Sequence, residues 1–376
     1  MPKNIQTRFS LLLPRIIVFP AAVLAIVPPL VAAITNIDVN YSAAVWYADE
    51  NELDIASYDW DSAGNLYYAA SVYGYMFGGI YKYDTSGVAT QVFGGDANTN
   101  FSGASLVTVG NHVYFNPSSW SNSQYIYKHD TTTSATARIS STTNYGLYAH
   151  NGVLFITGAG NAGAANFIAR TALDAQGNLV NDPAINLGVT GGASGPMAFD
   201  AQGNLYYAPG MGRTAIYKWS AQQVADAIAD PDASPLCTIN NVEDFLWYDY
   251  TLDFSGYAGG TSMAVDENGN IYLTLTNFSS GSEIVFFDVD GSSSPKSIVS
   301  SDMRLGEIRY RDGILYVADG FSIYQVTTVS PVPESSTWAL LCGFNILAFV
   351  VLRRRLSFLI IPLLPFLPPA FHAKQR

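Results

Sequence analysis

The chain has 376 residues, 49% apolar and 13% aromatic but only 13% charged, about half the roughly 25% usual for soluble domains. That balance excludes intrinsic disorder, which needs low hydrophobicity, and a helix-rich protein built on Lys/Glu faces. The net charge is −12, and residues 34–330 hold ten basic against 29 acidic side chains, which excludes a surface that collects nucleic-acid phosphates.

Residues 1–33 have the form of a secretory signal. Lys3, Arg8 and Arg15 give a basic start, Ile16 to Ala33 is almost wholly apolar, and Val31-Ala32-Ala33 places small residues for cleavage after Ala33. Pro20, Pro28 and Pro29 interrupt the stretch and make it a poor spanning helix.

From residue 55 to residue 326 one pattern recurs six times. Its clearest copies are Asp61-Ser62-Ala63-Gly64-Asn65-Leu66-Tyr67-Tyr68, Asp200-Ala201-Gln202-Gly203-Asn204-Leu205-Tyr206-Tyr207 and Asp266-Glu267-Asn268-Gly269-Asn270-Ile271-Tyr272. Weaker copies centre on Val113, Leu154 and Leu315. The Gly/Asn step supplies positive φ for a hairpin, and the flanking aromatic and β-branched residues suit a sheet. The anchors Leu66, Val113, Leu154, Leu205, Ile271 and Leu315 lie 47, 41, 51, 66 and 44 residues apart, the period of a four-stranded β-propeller blade. The expected fold is therefore all-β: a propeller of six blades, with five or seven left open by the 66-residue interval. That interval holds an insertion, Ala221 to Tyr250, with a helical run from Ala221 to Ala229. The sixth unit stops after three strands, and Ser42 to Tyr47 has the character of the missing outer strand, which would close the ring.

The pattern resembles the NHL and gluconolactonase-type propeller families, in which Asp-x-x-Gly-Asn-Ile/Leu-Tyr marks the first hairpin of a blade. Gluconolactonase-like propellers hold a divalent cation in the central channel. The resemblance implies, as an alternative reading, a calcium-type site on Asp200, Asp266, Glu307 and Asp312, in a metal-dependent lactonase or glycan-processing enzyme. The simpler role for the turn aspartates is to cap their own hairpins, and the leading expectation is no cofactor.

Other signatures of chemistry are weak. Gly158-Ala159-Gly160-Asn161-Ala162-Gly163 matches G-x-G-x-x-G, but Phe167-Ile168-Ala169-Arg170 just beyond it reads as a strand of the repeat and not as a nucleotide-binding helix. The four histidines lack metal-ligand spacing, and no G-x-S-x-G elbow occurs. Cys237 and Cys342 fall in different regions, so no internal disulfide is expected. Aromatic residues in loops offer a contact surface for sugar rings: Tyr73 and Tyr75, Trp120, and Trp247, Tyr248 and Tyr250.

After the linker Val329 to Pro333, Val332-Pro333-Glu334 opens an apolar stretch, Trp338 to Leu352, closed by Arg353-Arg354-Arg355. Motif, short membrane segment and basic stop in that order resemble the PEP-CTERM sorting signal, although Ser335 replaces the motif's second proline and the chain runs on from Leu356 to Arg376. The resemblance implies an exported protein of a Gram-negative bacterium that makes exopolysaccharide, processed by an exosortase-type enzyme. The expected organisation is a signal peptide (1–33), a propeller (34–330), a sorting segment (331–355) and a hydrophobic extension (356–376). The expected role is non-enzymatic, at the cell surface or in the matrix. There the protein would bind a neutral polysaccharide or an envelope protein and would contact the membrane through its C-terminal segment.

Overall fold

Asp61, Asp200 and Asp266 begin the local structure. In each, Oδ1 accepts the backbone N–H groups two and four residues on at 2.8–3.0 Å, and Oδ2 accepts the side-chain amide of Asn65, Asn204 or Asn270. The glycines of these turns, Gly64, Gly203 and Gly269, sit at φ of +85°, +86° and +87°, where a side chain would be strained. Each such turn reverses the chain into an antiparallel hairpin, and two further strands complete a sheet.

The computed structural model describes residues 34–72, 76–96, 99, 105–117, 125–140, 142, 144–159, 166–277 and 281–329. Their strands form six antiparallel sheets, the six blades of a propeller. Blade one has strands Asp54–Trp60, Leu66–Val72, Met76–Tyr83 and Ala89–Phe93, from axis to rim. Blades two to five begin at the axis with Leu106–Val109, Gly146–His150, Met197–Phe199 and Gly259–Val265. Blade six takes Ile308–Arg311, Ile314–Asp319 and Ser322–Thr328 from the end of the domain. Its rim strand is Tyr41–Ala48, from the beginning. The ring is closed as the sequence predicts, and the blade count is six. A two-residue strand, Asn36–Ile37, adds a fifth member to blade five, which the sequence did not reveal.

One irregularity recurs in every blade. Where the third strand meets the rim strand the register slips by one residue, leaving Val92, Ile139, Leu187, Trp247, Ile298 and Trp46 unpaired in bulges. A bulge sharpens the local twist, which six splayed sheets around one axis require. All six bulge residues are apolar. Trp46 shows why, packing edge-on against Trp60 of blade one and Tyr316 of its own blade's second strand at 5.6 and 5.5 Å.

The insertion in blade four is short helix and rim strand. Ser220 caps the helix Ala221–Ala229 in a capping box with Gln223, and buried Val224 and Ala227 lay it on Trp219. The chain then returns as Leu246–Asp249, the fourth strand of the blade. Cys237 is buried within this insertion, where burial pushes its thiol up to about 12. The strand Val153–Ala159, which carries the first glycine of the G-x-G-x-x-G match, Gly158, pairs antiparallel with Asn166–Ala172 and so belongs to a hairpin. Residues 160–165 lie outside the described residues.

Candidate functional site

The expected aromatic surface divides into three parts. Tyr73, Tyr75 and Trp120 lie outside the described residues. Tyr250 is fully buried against Phe287, so it is core and presents no surface. Trp247 and Tyr248 are half-buried and open onto a groove of 450 Å3 whose other wall is the blade-five turn from Asp288 to Pro295. Consecutive residues of a regular strand point to opposite faces. Here the bulge at Trp247 lets both rings line one groove. Their positions are set from behind: Trp247 stands edge-on to Tyr206 at 5.8 Å, and Tyr248 edge-on to Phe287 at 5.3 Å. The Tyr248 hydroxyl donates to Asp253 at 2.9 Å, and burial together with this carboxylate pushes the phenol up to about 12. The polar wall is also fixed, since Asp288 accepts the N–H of Asp290 and the hydroxyls of Ser292 and Ser293.

The central channel is built by the aligned first strands. Reading across the six registers, one level holds Ser57, Ser105, Gly146, Pro196, Ser262 and Glu307. Two residues on, at the face that carries the first turns, come Asp59, Val107, Tyr148, Ala198, Ala264 and Arg309, all lining one cavity of 310 Å3. Arg309 spans three blades: Nε donates to Tyr58 O at 3.2 Å, and Nη2 donates to Leu106 O at 2.9 Å and to Glu307 Oε1 at 2.6 Å. Glu307 Oε2 accepts the Tyr58 N–H at 3.3 Å. Burial raises the Glu307 carboxyl to about 7; the Arg309 guanidinium opposes this and Asp59 adds to it. The same ion pair holds the Arg309 guanidinium more firmly charged against its own burial.

The residues of the metal reading are not brought together. Asp200 and Asp266 spend their oxygens on their own turns, as described above. Asp312 is at the surface, with its side chain 82% exposed, beside Arg311 Nε at 3.2 Å. Glu307 is the sole carboxylate on its level of the channel and is bonded to Arg309. Among the described residues no three His, Cys, Asp or Glu side chains are grouped to hold a metal.

No family model and no curated protein matches the chain. Solved structures do. The carbohydrate-active enzyme of family AA12 from Trichoderma reesei superposes with a TM-score of 0.53 at 12% identity, over 79% of this chain and 98% of its own. The PQQ domain of pyranose dehydrogenase from Coprinopsis cinerea gives 0.51 at 10% identity, over 79% and 97%. A gluconolactonase from Xanthomonas campestris gives 0.49 at 12% identity, over 80% and 94%. At such identities what is shared is the propeller fold; chemistry has to be argued from side chains.

Sequence reading named Glu307 but missed Arg309, its partner, and the carbonyls of Tyr58 and Leu106 that Arg309 also meets. Aligning the six first strands would have exposed it, because Arg309 occupies a level otherwise held by Ala, Val, Tyr and Asp. The sorting residues Val332, Pro333, Glu334, Arg353, Arg354 and Arg355 lie outside the described residues. Within those residues no helix is long and apolar enough to cross a membrane.

Proposed function

We propose that this chain is an exported, non-enzymatic binding propeller that grips a neutral polysaccharide at the cell envelope or in its matrix. The observation that carries the reading is the groove of Trp247 and Tyr248 against the Asp288 to Pro295 turn. Two half-buried rings, braced from behind, offer flat apolar faces to the C–H faces of a sugar, and the serine-rich turn offers hydroxyls to its edges. Overall charge favours a neutral partner, because an acidic domain repels polyanions unless cations bridge them. The basic and apolar start of the chain and the order of Val332-Pro333-Glu334, apolar segment and Arg353-Arg354-Arg355 support export, with processing by an exosortase-type enzyme. Against a metal-dependent enzyme stands the commitment of Asp200, Asp266 and Glu307 to turns and to an ion pair.

A glycan array tests the reading directly. Neutral glycans are expected to bind, and Trp247→Ile, which places at the bulge the residue type that blades two and five carry there, is expected to abolish binding without unfolding the domain. Retention of full binding by that variant, or an array without neutral ligands, overturns it.

A further inference from the structure

Two cavities meet at the turn-bearing mouth of the channel. The 310 Å3 cavity over the axis adjoins one of 380 Å3 that reaches outward between blades six, one and two, and both are lined by Asp59, Thr108, Arg309 and Tyr310. Hydrogen-bonding capacity there is one-sided. Asp59 spends Oδ1 on the Trp60 N–H at 2.9 Å and Oδ2 on the Thr108 N–H at 2.8 Å, and the Thr108 hydroxyl, 3.0 Å from Oδ2, shares its one proton with the Trp60 carbonyl at 2.6 Å. Asp61 spends Oδ1 on Ala63 and Asn65 N–H groups, both at 2.9 Å, and Oδ2 on the Asn65 amide at 2.7 Å. The arginines are not exhausted. Arg309 uses Nε and Nη2, but its Nη1 has no hydrogen-bond partner among the described residues. Arg311 uses Nε on Asp312 and lays its guanidinium 5.3 Å from the Trp60 ring centre, with both terminal nitrogens unengaged among the described residues.

A pocket whose carboxylates are satisfied and whose guanidiniums still hold donors calls for an acceptor-only group, and a carboxylate matches the guanidinium fork. Charge limits the choice further. Asp59 and Asp61 sit among the two arginines on an acidic domain, so a phosphate dianion or a polyanionic strand meets more repulsion than a single carboxylate does. The outer cavity, walled by Trp60, Ser62 and Tyr310 besides the arginines, has room for a hydroxylated ring behind that carboxylate. We propose that the channel mouth is a receptor for one carboxylate carried on a sugar ring, a monomeric or chain-terminal uronic acid, held by Arg309 and Arg311. The site is separate from the Trp247 groove, which lies between blades four and five, so neither stands or falls with the other.

Calorimetric titration of the full chain with glucuronate, its methyl ester, glucose and acetate tests this. Glucuronate is expected to bind at least about tenfold tighter than the other three, and to weaken as salt rises from about 50 mM to about 500 mM. Ser62→Trp fills the outer cavity from an exposed turn position, and Arg311→Ala removes the more exposed guanidinium. Each is expected to weaken glucuronate about tenfold or more with an unchanged melting temperature. No heat with glucuronate overturns the proposal, as does equal affinity for the methyl ester or unaltered binding by both variants. Acetate binding as tight as glucuronate overturns the sugar-acid assignment.

Discussion

The channel and the rim groove are both rich in polar and aromatic side chains, yet they use them in opposite ways. At the channel, Arg309 and Glu307 bond to each other and to backbone groups of blades one and two, where the last blade meets the first. At the rim, Trp247 and Tyr248 lean on Tyr206 and Phe287 with one side and leave the other open. Inner groups are thus mostly spent on holding blades together, and rim groups on presenting a surface. Substitution of Arg309 or Glu307 inside the channel should therefore cost stability, and at the rim substitution should cost binding.

The sharpest way to break this contrast is Arg309→Met. It leaves the buried Glu307 without its cation and removes bonds to two strand carbonyls. Unpairing a buried charge costs about 3–5 kcal/mol, and protonation of Glu307 should hold the loss near the lower end. Chemical denaturation should report it as a lower midpoint with an unchanged slope. A loss below about 1 kcal/mol would mean that Arg309 does not bind the blades.

A smaller effect tests the same pair through pH. The carboxyls of Glu307 and Asp319 are raised by burial to about 7 and about 6, from 4.5 and 3.8. The folded state therefore holds protons that the unfolded chain releases. Their contribution is fully present below the unfolded values and is lost as pH rises through about 6 and then about 7. Turn aspartates with depressed values, such as Asp84 and Asp288, act the other way: their contribution is present above about 3.8 and lost as pH falls. Stability should peak between about pH 4 and pH 5, and Glu307 alone should lower it by roughly 2 kcal/mol from pH 5 to pH 7, a fall that Glu307→Gln should remove. A profile still rising at pH 8 would contradict this.

Legibility in the sequence divides along the same line. The hairpins were legible because Asp61, Asp200 and Asp266 build them with neighbours within four residues, so the signal is local and repeated. Closure by Tyr41–Ala48 was legible because the sixth unit visibly lacked a strand. The bulges were not, since a one-residue slip leaves no mark on residue type when Val92, Ile139 and Trp247 all serve. For that reason Tyr250 read as equivalent to Tyr248, although it comes after the rim strand and turns inward against Phe287. Arg309 was hidden by distance: its partners Tyr58 and Leu106 lie more than two hundred positions away.

Asp266→Ala sharpens the comparison from the side of the turns. It frees two backbone N–H groups and the Asn270 amide in one hairpin only, and caps of this kind are worth about 1–2 kcal/mol. Thermal unfolding should shift by that amount, while glycan and carboxylate binding remain as in the parent. Loss of a ligand in this variant would give Asp266 a role beyond its turn.

The smallest expected effect is none. If Glu307, Asp200 and Asp266 held a tightly bound divalent ion, its removal would lower stability by roughly 4 kcal/mol for metal at a thousandfold excess over its dissociation constant. Their carboxylates instead accept hydrogen bonds from Arg309, from turn N–H groups and from asparagine amides, and a cation would have to displace these donors one by one. A chelator should therefore leave the melting temperature unchanged, and added calcium should not raise it. Elemental analysis of the purified protein should find no stoichiometric divalent metal. A bound ion whose loss lowers the melting point would show that the channel holds ligands as well as blades, and would move the functional assignment to a metal-dependent enzyme.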